Sequence, residues 1–310
     1  QSEYIDKAKT DNIDAFIIAQ YASKHHFSPS MLKSYNIERI RRISRAKYFL
    51  NQDKERTINH LHRYLDESFP EFVPFFRKRE DNKRYQGRNF FDSKTVLWFL
   101  ENYPSAKKFS CARQETADKL RRMSKGAFSL VKFNELRDIA KNSIGVAYLE
   151  TETIIIQLVN QLRDIKSKDE ELDSLLEPLI DETAPNLITI PGVGYRLAGL
   201  FIGEIGDISS FPSPDKLIKF AGLDVKIYQS GTVEKRGGVR KRGSPLLRYA
   251  LFQAAEKCRI HSPELAEYYS KKKNDGKHPI CALTHTARKI LRIIWALLKT
   301  GQNYTLNISD

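Results

Sequence analysis

Four groups of residues are of types that could act on a phosphodiester. Ser230 sits in the step Gln229-Ser230-Gly231, where no helix follows that its hydroxyl would cap. A serine without a structural duty can serve as a nucleophile, although a serine before a glycine is most often a turn residue. No histidine lies near it in sequence to act as base. Ser244 precedes Pro245 and an apolar helical run, so its hydroxyl is better spent as an N-cap. Between Gln229 and Arg248 the chain carries Lys235, Arg236, Arg240, Lys241, Arg242 and Arg248 against one acid, Glu234. Cations at that density suit a phosphate backbone, and could stabilise the alkoxide and the pentacovalent phosphorus of an attack. Four interleaved glycines lead us to expect a mobile basic loop here.

Two further groups precede that region in the chain. Pro191-Gly192-Val193-Gly194 lies between helical segments and has the form of a helix-hairpin-helix turn. Gly192 and Gly194 would let backbone N–H groups at a helix start approach a phosphate, and Val193 would pin the turn between the helices. Such a turn grips backbone and does not read sequence. Near the start, Asp11 and Asp14 stand three residues apart on one side of a helix. They read first as acids favoured by the helix dipole, and second as hard oxygen ligands for Mg²⁺. Two carboxylates are too few for a two-metal site. The histidines show no metal-site spacing and read as surface or phosphate-adjacent residues.

These residues need a scaffold, and its pattern is helical. Thr10 is an expected N-cap for a helix to about Ala22, with Ile13, Ile17, Ile18 and Tyr21 on its apolar face. His25 to Ser34 reads as a polar link. Charged sequence with helical apolar spacing from Ile37 to Leu65, and again from Ile144 to Pro178, predicts two long helices. They flank a small helical insert and suggest an antiparallel arm. Pro70 and Pro74 are expected to end the first of them. Glu80 to Phe91 reads as a polar loop. Short helices are expected over Thr95–Glu101, Thr116–Arg122 and Leu130–Asn142. Ser213 and Pro214 open another, Ser244-Pro245 one to about Arg259, Ser262-Pro263 the next, and Pro279 one to about Lys299. Strand character is weak and confined to Asp224–Gln229. The fold class is therefore mainly α.

Composition sets the outer bounds. The chain has 310 residues, enough for two or three domains, and 41% hydrophobic residues, enough to fold. A formal charge of +14 favours a polyanion as partner. Cys111, Cys258 and Cys281 fit neither a disulfide framework nor a zinc motif, which points to a reducing cytosol. No apolar run approaches the roughly 20 residues that span a bilayer, and no signal peptide is visible. The chain begins at Gln1 in mid-pattern, and we expect an N-terminal part to precede it.

Taken in order, "KTDNIDAFIIAQYA", "HRYLDESFPEF", "ITIPGVGYRLAGLFIGEIGDISSFPSPDKLIKFAGL", "YQSG" and "KRGSPLLRYALFQAA" resemble the DEDD transposases of insertion sequences. That group includes the Piv-type pilin-gene invertases and the bridge-RNA-guided recombinases. The resemblance implies an RNase H-like (RuvC-like) α/β domain ending at residues 1–24. It further implies a coiled-coil arm with a helical insert over 25–180, and a C-terminal transposase domain with a helix-hairpin-helix over 181–310. The last two of four acidic Mg²⁺ ligands would be Asp11 and Asp14, within Lys9-x-Asp11-x-x-Asp14-Ala15; the first two have no counterpart here. Ser230 would be the serine that joins covalently to DNA. Many relatives carry another serine at the position of Arg240. DNA as substrate, a structured guide RNA, a homodimer or larger oligomer with composite sites, and a bacterial or archaeal cytoplasm are implied in the same way. The residues alone leave two other readings: a non-catalytic protein holding branched nucleic acid, and a nuclease that cuts with its metal site alone.

Overall fold

The computed structural model describes residues 11–24, 35–77, 90–230, 233–239 and 243–305; for Asp11 to Asp14, Ile18, Ala22, Lys24 and the strand residues it describes the backbone alone. The expectations on Lys9, Thr10, the link 25–34 and all but the last two residues of the loop Glu80–Phe91 lie outside these residues, as do Arg240, Lys241 and Arg242. Two compact units divide the chain, residues 1–35 and 36–310.

The first unit holds helix α1, Asp11–Lys24. Its expected apolar face is in part uncovered, with Ile17 and Tyr21 exposed, and Phe16 beside them is exposed as well. The unit has no second element among the described residues to cover them.

The second unit is built on two long helices, α2 (Tyr35–Ser68) and α8 (Leu149–Thr183). They run antiparallel. Lys47 of α2 meets Asp169 and Asp173 of α8, while further along α2 Glu67 accepts a hydrogen bond from Thr151 at the start of α8. Along α2 the buried positions recur at three and four residues, Ile40, Ser44 and Lys47, then Ile58, Leu61, Leu65 and Ser68, the spacing of one helix face. Between Lys47 and Thr57 nothing is buried, and α8 has a matching break between Ile165 and Leu176. The pair therefore serves two hydrophobic cores, one at each end.

Helix α8 continues through Pro178, past the expected stop. Proline lacks the N–H that would bond the Ser174 carbonyl, a local cost, but Leu176, Leu179 and Ile180 are buried just around it and hold the last turns in place. The first long helix ends at Ser68, ahead of Pro70, as expected, but Pro74 does not interrupt the helix that follows. Pro74 is the third residue of α3, Phe72–Arg77, where a backbone N–H has no intrahelical acceptor to lose.

One core belongs to the insert: α3, a 3-10 turn at Phe90–Asp92, α4 (Lys94–Asn102), α5 (Ala106–Ser110), α6 (Gln114–Met123) and α7 (Leu130–Lys141). It is a phenylalanine cluster, with Phe72–Phe99, Phe99–Phe109 and Phe109–Phe133 centroids 4.8, 4.6 and 5.4 Å apart. His62, half-buried, lies edge-on to Phe91 at 4.9 Å and so packs against the insert core. Helix α5 gives no sequence signal because its one turn is too short to show a period; Ser105 caps it by accepting from the Lys108 N–H.

The other core gathers a 3-10 turn at Pro185–Thr189, α9 (Tyr195–Ile205), α10 (Pro214–Phe220), α11 (Pro245–His261), α12 (Pro263–Asn274) and α13 (Pro279–Thr300) around the N-terminal end of α2 and the C-terminal end of α8. Ser213 stands at the N-cap of α10 as expected, but its side chain makes no capping bond. The expectation of a mobile loop over Gln229–Arg248 needs correction. Strand β1, Val225–Ser230, pairs with a second strand β2, Val233–Val239, in an antiparallel ribbon. The glycines and charges of β2 hide it from a hydropathy pattern, because a two-stranded ladder is held by backbone hydrogen bonds that any residue but proline can make.

Candidate functional site

The register of the ribbon fixes where its residues stand. Ser230 is the last residue of β1 and is paired with Val233, the first of β2; Gln229 pairs with Glu234, Tyr228 with Lys235 and Ile227 with Arg236. A bulge lies between Val225 and Ile227 at the other end. Ser230, Lys235 and Arg236 thus fall on one short stretch of ribbon, at the end where β1 passes to β2.

Both feet of the ribbon are tied down. Leu223, just before β1, is fully buried. At the return, the Arg248 guanidinium donates to the carbonyls of Ala221 and Gly243, each at 3.3 Å, and so clips the two feet together. Arg248, expected as a phosphate contact, therefore has a structural duty as well. Ser244 caps α11 by accepting from the Leu247 N–H at 3.2 Å, and its hydroxyl donates to Glu204 at 2.7 Å. The sequence-based expectation that Ser244 is an N-cap holds.

Glu204 carries no motif that would single it out as a site residue. It lies on α9 with a side chain 4% exposed, and Arg45 of α2 grips it through Nε at 2.7 Å and through a second nitrogen at 3.2 Å. Burial pushes its carboxyl up. The hydrogen bonds from Arg45 and Ser244, with the charges of Arg45 and Arg41, outweigh that and hold it below the usual range. One carboxylate thereby ties the long helix α2, helix α9 and the cap of α11 together. A signal for it was nonetheless present: a glutamate inside the apolar run "AGLFIGEIG" demands a buried partner.

The turn at Pro191–Gly194 packs inward through Val193, 4% exposed. Gly192 has φ +93°, and a Cβ there would lie 2.8 Å from the Lys257 carbonyl carbon of α11. That residue is glycine for backbone reasons on two counts. Gly194 opens α9 with no side-chain cap, and a Cβ on it would meet nothing within 4 Å. The start of α9 is therefore open on that side. Behind it, Arg196 bonds Asp169 at 3.0 Å, the same carboxylate that binds the buried Lys47 at 2.7 Å. The α9 turn is in this way anchored to the middle of the long helix pair.

Asp11 and Asp14 occupy the first turn of α1. Hard carboxylate oxygens of this kind suit Mg²⁺. As a donor set they are incomplete, and among the described residues no group of three or more His, Cys, Asp or Glu side chains is arranged to hold a metal. No described helix is long and apolar enough to cross a membrane.

Known proteins share these segments. Residues 184–270 match the model of the transposase IS116/IS110/IS902 family, and residues 1–70 match that of the DEDD transposases of the IS110 type. The chain is 25% identical to the IS110 insertion-element protein of Streptomyces coelicolor over 97% of its own length and 73% of that protein. It is 24% identical to the IS900 protein of Mycobacterium paratuberculosis, over 97% of this chain and 74% of that one. It is 29% identical to the pilin gene-inverting protein of Moraxella bovis over 43% of this chain and 42% of that one. The first family match spans the α9 turn, the ribbon and the clamp at its feet; the second spans Asp11 and Asp14.

Proposed function

Because the chain belongs to the DEDD transposase family of insertion sequences and is accordingly a DNA transposase, we infer that it cuts and rejoins DNA through a covalent bond to Ser230. The Ser230 Oγ attacks the phosphorus of a phosphodiester and its proton leaves to solvent or a base. The bond from phosphorus to the deoxyribose oxygen breaks, and that oxygen departs as a protonated hydroxyl. A phosphoserine remains. The hydroxyl of a second DNA end then attacks the same phosphorus, and the serine is released as it was.

The observation that carries this reading is the division of labour between the two serines. Ser244 is committed to Glu204 and to the α11 cap, whereas Ser230 closes a strand whose partner brings Lys235 and Arg236. Lys235 and Arg236, with Arg240, Lys241 and Arg242, neutralise the phosphates around the scissile one. The open start of α9 at Gly194 offers backbone amides to a phosphate of the flanking duplex. In this reading the α9 turn is the hairpin of a helix-hairpin-helix. The α2–α8 pair is the dimer-forming arm of residues 25–180, and α1 closes an RNase H-like domain. Asp11 and Asp14, with carboxylates from outside the described residues, hold Mg²⁺. The ion when bound neutralises charge at the phosphate under attack. Ser230 and those carboxylates meet at one phosphate, supplied by two copies of the chain. A structured RNA chooses the target.

Denaturing electrophoresis of protein incubated with labelled element ends tests this. The wild-type protein and Ser244→Ala are expected to retain a covalent DNA adduct, and Ser230→Ala to lose it. An adduct that persists in Ser230→Ala and disappears in Ser244→Ala overturns the assignment.

A further inference from the structure

A run of cations outside both the ribbon and the α9 turn lies where α12 passes into α13. From Lys271 to Arg292 the chain carries seven lysines and arginines against one acid, Asp275. Three of the seven are neutralised within the fold: Lys272 by Asp275 at 3.0 Å, Lys289 by Glu264 at 2.6 Å and Arg292 by Asp215 at 3.0 Å. Lys271, Lys273 and Lys277 are exposed and make no ion pair among the described residues. Arg288 has a buried Nε with no hydrogen-bond partner.

The fold holds these charges together and keeps them from spreading apart. Lys272 and Lys289, from the two helices, lie over the same Tyr268 ring at 5.7 and 4.9 Å. The turn between them is closed by bonds from Asp275, Gly276 and Lys277 N–H back to α12, with Gly276 at φ +75°. His278 caps α13 by accepting from the Ile280 N–H at 3.3 Å. The local potential registers on His285: burial, and then the charges of Arg288, Lys272 and Lys277, hold its imidazole below the usual range. Three lysines at the C-terminal turn of α12 gain something from the helix dipole. The dipole gives no reason for Lys277 and Arg288, which lie beyond that helix.

We propose that the α12–α13 turn is a second phosphate-binding surface, through which Lys271, Lys273 and Lys277 bind the backbone of duplex DNA flanking the site of cleavage. The proposal rests on the reading of the chain as a DNA transposase. The grip is sequence-independent, since it neutralises phosphates and reaches no base edge. It lengthens the hold on the duplex beyond the ribbon and the α9 turn.

Fluorescence anisotropy with a labelled duplex, titrated at several KCl concentrations from about 50 to 200 mM, tests it. Wild-type protein is compared with the triple variant Lys271→Ala, Lys273→Ala, Lys277→Ala, and with Lys141→Ala, an exposed lysine of the insert, as control. The triple variant is expected to bind about tenfold or more weakly, with a salt slope lower by about 2 to 3, near 0.9 for each phosphate no longer neutralised. The control keeps the wild-type values. Should the triple variant fold poorly by circular dichroism, Lys277→Ala alone carries the test, with a slope lower by about 0.9. Unchanged affinity and slope overturn the proposal. So does a loss seen with structured RNA and not with duplex DNA, which makes the surface one for RNA. Wild-type protein that binds no duplex at all defeats the DNA reading itself and is thereby told apart.

Discussion

At the scale of single residues, charge burial decides most. Glu204 is buried with a bidentate arginine and a serine hydroxyl upon it. Removing a fully buried partner costs roughly 3–5 kcal/mol; Arg45 is 40% exposed and is rehydrated when left alone, so Glu204→Ala is expected to cost about 2 kcal/mol. Urea unfolding at neutral pH measures it. The pH dependence has a definite sign. The folded carboxyl titrates below the unfolded one, so its contribution is complete above the unfolded value of about 4.3 and is lost as pH falls through the folded one. Glu204→Gln is expected to flatten that acid-side loss, and equal slopes for the two proteins would disprove the assignment. Cysteine reactivity divides in the same way. Burial pushes the Cys258 thiol up to about 12, while Cys111 and Cys281 are exposed. A thiol reagent at mild pH is expected to modify Cys111 and Cys281 in the folded protein and all three cysteines in denaturant, since only thiolate reacts.

At the scale of elements, close approach of backbones sets what the helices tolerate. Helix α9 crosses α2 with Gly199 and Gly203 at the crossing; a Cβ on Gly203 would stand 2.7 Å from the Arg41 Cα. Backbone cannot move aside as a side-chain tip can. Gly203→Ala is therefore expected to lose about 1–3 kcal/mol, and also to loosen the Arg45–Glu204 grip that steadies the ribbon foot. Gly194→Ala meets no atom within 4 Å and has ordinary φ, so it is expected to change the melting temperature little. Thermal unfolding of the pair separates a packing glycine from an open one.

At the scale of the whole molecule, one helix pair carries two cores joined by a polar middle, where Lys47 lies between Asp169 and Asp173. Phe133, fully buried in the insert core, tests their independence. Phe133→Ala is expected to remove about 3–5 kcal/mol from that core. Amide exchange should then quicken through α3–α7 and the adjoining ends of α2 and α8, and stay slow in α9 and α11. Uniform acceleration across both cores would show a single cooperative unit instead.

Helix order and most helix ends were legible in the sequence, because amphipathic spacing, Ser-Pro starts and glycine stops are local features. Pro245, Pro263 and Pro279 each begin the helix they announce. The motif order was legible too, and the family matches agree with it. Tertiary structure decided the rest. Burial of Leu176, Leu179 and Ile180 carried α8 through Pro178. Pairing with β1 turned a basic, glycine-bearing stretch into a strand. The Arg45–Glu204–Ser244 link joins residues far apart in the chain. No window of sequence contains the partner that a buried charge or an unpaired strand will find, since that partner arrives only when distant segments meet.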